Sequence, residues 1–68
     1  MQLSARNQFR GKVVEVKLGA VMAEVQVDIG GGNTIVSTIT RDSAQRLDLK
    51  KGDEVVTIIK STEVLVGK

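Results

Sequence analysis

Arg6 and Lys60, with the hydroxyls of Ser4, Thr40 and Ser43, are the side chains of this sequence best equipped for chemistry. Guanidinium and ammonium groups only donate hydrogen bonds, and a hydroxyl donates as readily as it accepts. A helix beginning near Thr40 to Ser43 would add backbone N–H groups and the positive end of its dipole. Such a set suits a small oxyanion: side-chain cations neutralise a dianion, while hydroxyl and amide donors satisfy its oxygens as water is stripped away. Each residue taken alone also has an ordinary role. Lys60 reads as a solvated strand end, Arg6 as a surface charge, Ser43 as a helix-start residue and Thr40 as a cap.

Other chemistries find little to work with. The chain has no histidine and no cysteine, which removes thiolate and imidazole metal ligands, disulfides and the usual nucleophile–base pairs. Its carboxylates, Glu15, Glu24, Asp28, Asp42, Asp48, Asp53, Glu54 and Glu63, are spread over expected strand faces and turns and form no recognisable acid–base pair. A serine with a lysine base is formally available through Ser4 or Ser43 and Lys60, but so small a domain has little concave surface from which to exclude water. We therefore expect a binding protein and no enzyme. The net charge of +2 arises from ten basic and eight acidic residues mixed along the chain, without the dense basic block of a nucleic-acid arm. Phe9 is the single aromatic residue, whereas single-strand binders stack successive bases on several rings.

The elements that must position these residues can be read from periodicity. From Gly11 to Leu18, Val14, Val16 and Leu18 alternate with Glu15 and Lys17, which predicts a half-buried strand. Val21, Ala23, Val25, Val27 and Ile29 repeat the pattern, with Gly19 at the intervening turn. Gly30 to Gly32 with Asn33 form a second turn into a β-branched strand from Thr34 to Thr40. Thr40 or Asp42 can then cap a short helix over Arg41 to Asp48, with Ala44 and Leu47 on one face. Glu54 to Lys60 reads as a fourth strand and Val64 to Val66 as a short fifth. The expected fold class is all-β: a small five-stranded Greek-key barrel like the oligonucleotide/oligosaccharide-binding (OB) fold, with one short helix between strands three and four. It forms a single domain over residues 1–68.

At 68 residues, a monomer buries only about 60% of the surface its unfolded chain exposes, so its core is marginal. Association with copies of itself is the remaining source of stability. No apolar leader and no run long enough to span a bilayer is present, which makes a soluble, cytoplasmic protein the expectation, with no membrane partner.

Several stretches taken together resemble the molbindins, small Mop-type molybdate-binding proteins built of the TOBE/Mop domain, which also occurs in molybdate-transport ATPases and molybdate-responsive regulators. SARNQFRGKV at residues 4 to 13 is similar to that family's SARNxxxGxV opening, KLGAVMAEV at 17 to 25 to its second block, and GGGNTIVSTIT at 30 to 40 to its third. TRDSAQRLDLKKGDEV and IKSTEVLVG match its ending. LKKGDEV alone would be mainly turn chemistry; the combination is specific and covers essentially the whole chain.

The resemblance implies a barrel that assembles as a homohexamer, a trimer of dimers, holding molybdate or tungstate at subunit interfaces without a further cofactor and without direct side-chain ligation of the metal. It places the oxyanion-binding positions on Ser4, Arg6, Thr40, Ser43, Lys60 and Ser61, with backbone amides near Gly19 to Val21 as a second class of site. On that reading the SARN segment crosses to a neighbouring subunit, so that Ser4 and Arg6 of one copy meet Ser43 and Lys60 of another. The implied role is storage and homeostasis of molybdate. Two other readings fit the general fold: an OB-like nucleic-acid-binding domain, disfavoured by the missing aromatic platform, and a purely structural oligomerisation module. A stacked pterin finds little support in one Phe and no Trp or Tyr.

Overall fold

The computed structural model describes all residues, 1–68. Its strands are β1 (Asn7–Leu18), β2 (Met22–Gly30), β3 (Asn33–Thr40) and β4 (Glu54–Ile59), with a single α-helix, α1 (Arg41–Arg46), between β3 and β4 and a 3-10 turn at Ser61–Glu63. The strands form one antiparallel sheet in the order β3-β2-β1-β4. This is the arrangement of an OB-like barrel that lacks the strand between β3 and β4. No helix is long and apolar enough to cross a membrane.

β1 organises the sheet because it is shared. Asn7 to Lys12 pair with β4, and Lys12 to Leu18 pair with β2. That sharing extends the strand four residues upstream of the expected Gly11 start. Gly11 sits where the two pairings meet, and a Cβ there would be driven into the carbonyl oxygen of Asp28 and the side chain of Val27. Just beyond it the register with β2 shifts between Val13 and Glu15. This bulge inserts Val14 as an extra residue, increases local twist and resets which side chains face inward. Val13 is therefore buried at 1% exposure while Val14 stands out at 37%, the reverse of what uninterrupted alternation predicts.

The hairpins follow their turn residues. Gly31 and Gly32 make a two-residue turn with φ of 63° and 79°, flanked by Gly30 at 91°, and Asp28 Oδ1 accepts the Gly30 N–H at 2.8 Å. The helix is shorter than its expected span. After Arg46 the chain turns through Asp48 at φ 50°, and the Leu49 N–H donates to the Ala44 carbonyl at 3.1 Å. That early turn swings Leu47 out to 67% exposure and brings Leu49 onto the core in its place.

Only Val13, Ala23, Val25, Val27 and Ala44 are fully buried; Val16, Ile29, Ile39, Leu49 and Val55 pack against the valine cluster. The expected fifth strand at Val64 to Val66 does not form. After β4 the 3-10 turn carries the chain on without laying it along either free sheet edge, β3 or β4, and Leu65 and Val66 are each 93% exposed. Between those edges runs an open, mainly apolar groove lined by Ile35, Ile39, Leu49, Val55 and Ile59, with Lys60 at its rim.

Candidate oxyanion-binding site

Two groups of the candidate residues come together, at opposite ends of the sheet. The first forms where β1 starts and β4 stops. Asn7 and Ile59 are the last paired residues, so Arg6 and Lys60 each lie one residue beyond them on adjoining chains. The Asn7 side-chain amide donates to the Ile59 carbonyl at 3.2 Å, fastening the two ends side by side. Ser4, Arg6, Lys60 and Ser61 are all exposed here, while the Gln8 amide donates to the Ala5 carbonyl at 2.6 Å and shapes the entry into β1. The chain's ion pairs are Lys17–Glu15 and Lys50–Asp48, and neither involves Arg6 or Lys60. Glu63 is three residues from Lys60 in sequence, but its carboxylate is not paired with it. Two like charges held at adjoining chain positions repel, and an anion between them turns that cost into attraction.

The second group forms where β3 runs into α1. Thr40 is in extended conformation, φ −70° and ψ 149°, and caps the helix: its Oγ1 accepts the Ser43 N–H at 3.1 Å. The Thr40 hydroxyl donates in turn to Ser43 Oγ at 2.8 Å, and Arg46 Nη2 donates to the same oxygen at 3.3 Å. Thr40→Ala should cost about 1 kcal/mol of stability in denaturant titration at fixed protein concentration, with the helix end as the element lost. An unchanged midpoint would contradict the cap.

The sheet register separates these groups. β1 runs from the Asn7–Ile59 pair at one end to the Leu18–Ala23–Ile39 row at the other, about 35 Å of strand contour at the usual rise per residue. Lys60 thus stands beside Arg6 within a chain, and Ser43, which sequence reasoning grouped with Lys60, lies at the far end.

The sequence reading passed over two arginines. Arg46 sits three residues after Ser43, a spacing that places side chains together on a helix and was legible in principle. Arg41 ties the β1–β2 turn to the helix: its Nη1 donates to the Gly19 carbonyl at 3.0 Å and its backbone N–H to the Val21 carbonyl at 2.7 Å. No local pattern announces that contact, which spans 22 positions. Lys50 is displaced in its titration, raised above the ordinary lysine value by its hydrogen bond to Asp48 and then by the charges of Asp48 and Asp53; it belongs to an exposed turn and bonds to neither group.

Comparison with known proteins places the geometry in context. Residues 3–66 match the TOBE domain. The chain is 50% identical over 66 residues to molybdenum-pterin-binding protein 1 of Clostridium pasteurianum, covering 97% of each chain. It is 49% identical to a probable molybdenum-pterin-binding protein of Haemophilus influenzae, covering 98% of this chain and 97% of the relative. Among solved structures, an apo form of MopII from Clostridium pasteurianum superimposes with a TM-score of 0.93 at 48% identity, over 98% of this chain and 100% of that one. A molybdate-binding protein from Sporomusa ovata superimposes with a TM-score of 0.92 at 41% identity, over the whole of both chains.

Proposed function

The chain belongs to the TOBE domain family, and from that premise we propose that it binds molybdate, and its near twin tungstate, at interfaces between copies of itself. The observation that carries this reading is the adjoining pair of exposed cations, Arg6 and Lys60, with no carboxylate partner. Ser4 and Ser61 add hydroxyls beside them, and at the other end of the sheet Thr40, its own proton given to Ser43 Oγ, holds the Ser43 hydroxyl in place as a donor. Neither group alone surrounds a tetrahedral dianion. When the Arg6 end of one copy meets the Ser43 end of another, the donors are complete. This reading takes Lys60 together with Arg6, in place of grouping it with Ser43 from one copy; the β1–β4 register within the chain supports that choice.

Association has its own support in the fold. A chain with five fully buried residues, an apolar groove between two free sheet edges and two aliphatic side chains at 93% exposure is incomplete by itself. An apolar segment like Val64 to Val66 of a second copy matches the groove in chemistry. The reading takes the assembly as a homohexamer, a trimer of dimers, acting in the cytoplasm to store and buffer molybdate.

Four or five charge-assisted and neutral hydrogen bonds contribute on the order of 8 kcal/mol before association costs, enough for roughly micromolar binding. Molybdate and tungstate share charge, shape and nearly the same size, so such a pocket separates them poorly. Sulfate is smaller and spans fewer donors at once. Phosphate carries a proton near neutrality for which a shell of donors has no acceptor. No catalytic step or nucleic acid enters the proposal, and a pterin is left out as well, since Phe9 is the only ring available for stacking.

Equilibrium dialysis against molybdate, tungstate, sulfate and phosphate, followed by native mass spectrometry of the loaded assembly, tests the reading. Retention of molybdate and tungstate over the other two by an oligomer is the expected result. A monomer that retains none of the four would overturn it, and an oligomer that retains none would favour the purely structural module.

A further inference from the structure

The sheet is one strand short of closing, and the chain has one extended apolar segment to spare. β3 and β4 end the order β3-β2-β1-β4, so each hydrogen-bonds to a neighbour on one side only. Exposed sheet edges are ordinarily guarded against further pairing by charged residues or proline. β3, NTIVSTIT, carries neither, and β4, EVVTII, carries one charge, Glu54, at its start. The groove between these edges is walled by Ile35 and Ile39 on one side and Val55 and Ile59 on the other, and it reaches down to Val25 and Val27 of the core. Through the antiparallel pairs, β3 runs with β1 and β4 runs against it, so a strand laid in the groove is antiparallel to one wall and parallel to the other.

The spare segment is Val64 to Val66. Val64 is already extended, with φ of −90° and ψ of 121°, and Leu65 and Val66 are almost fully exposed. The turn before it is closed by the Glu63 N–H on the Lys60 carbonyl at 2.9 Å and the Val64 N–H on the Ser61 carbonyl at 3.4 Å, and it carries the segment away from the groove of its own chain. We propose that two copies exchange this segment reciprocally, Val64 to Val66 of each lying as the fifth strand between β3 and β4 of the other. The inference deepens the association half of the proposed function and does not rest on the oxyanion, since the exchange needs no ligand. Main-chain hydrogen bonds to the free edges supply affinity, and the apolar walls select the segment. A two-fold exchange is self-complementary and leaves neither groove open. Each barrel is then built from two chains, and Lys60 and Ser61 lie just before the point where one copy crosses to the other.

The test is methyl NMR on wild-type protein, with isotope-labelled and unlabelled copies refolded together in the absence of molybdate. A filtered spectrum that selects contacts between copies should show the methyls of residues 64–66 against those of Ile39 and Val55. Contacts that arise only within one chain would show the segment folded into its own groove and overturn the proposal. Methyls of 64–66 that meet neither wall would overturn it as well, as would a monomeric chain. Retention of molybdate by an assembly without these contacts would remove the exchange alone, whereas the contacts in an assembly that retains no molybdate would uphold the exchange and remove the oxyanion reading.

Discussion

Chains with aspartate at both Leu65 and Val66 should sediment as monomers and retain no measurable molybdate in dialysis. Both side chains are almost fully exposed, and neither touches the valine cluster of Val13, Val25 and Val27, so the change leaves the chain's own core intact. Burying a leucine and a valine against a second copy contributes roughly 1.5–3 kcal/mol each. Aspartate reverses the sign, because a carboxylate taken into an apolar groove without a partner is costly. The loss recurs in every copy of a symmetric assembly. The wild-type melting temperature should therefore rise with protein concentration and that of the variant should not. An assembly of wild-type mass that still binds molybdate would show that this segment has no part in association.

The second large effect is expected at Arg6. Arg6→Ala should weaken molybdate binding about ten- to a hundredfold, since it removes a charge-assisted contact worth about 1.5–3 kcal/mol and leaves the dianion short of one compensating charge. The side chain is exposed and makes no ion pair, so the fold has little to lose. Unfolding midpoints should match those of the wild type while calorimetry reports the weaker affinity. Unchanged affinity would remove Arg6 from the site.

How much of this was legible in the sequence depended on how local each feature is. Alternation over Ala23, Val25 and Val27 found the core of β2, and the run of three glycines found its hairpin, because both signals are written within a few residues. Thr40 was readable as a cap for the same reason. The bulge at Val13 to Glu15 was not: an inserted residue looks the same as continued alternation until the register with β2 is known. Leu47 and Leu49 exchanged roles because the chain leaves the helix at Arg46, and Asp48 adopts a left-handed conformation that its residue type permits without announcing.

The closing segment was misread in a more instructive way. Its apolar composition suggests a strand, but a strand also needs an edge to pair with, and no edge of the same sheet receives it, so none forms. The site followed the same division. Residue types and the family resemblance pick out the candidate donors, whereas their distribution between the two ends of the sheet depends on β1 pairing with β4 across about fifty positions of sequence, a non-local fact.

Co-assembly of two single variants, Arg6→Ala and Ser43→Ala, gives the most direct test that copies pool their donors around one anion. Refolded together in equal amounts and pairing at random, they should recover about a quarter of the sites at wild-type affinity, because a site then draws Arg6 from one variant and Ser43 from the other. Recovery of none, with both variants present in the same assembly, would mean that a single chain supplies both residues, and the interface site would be ruled out.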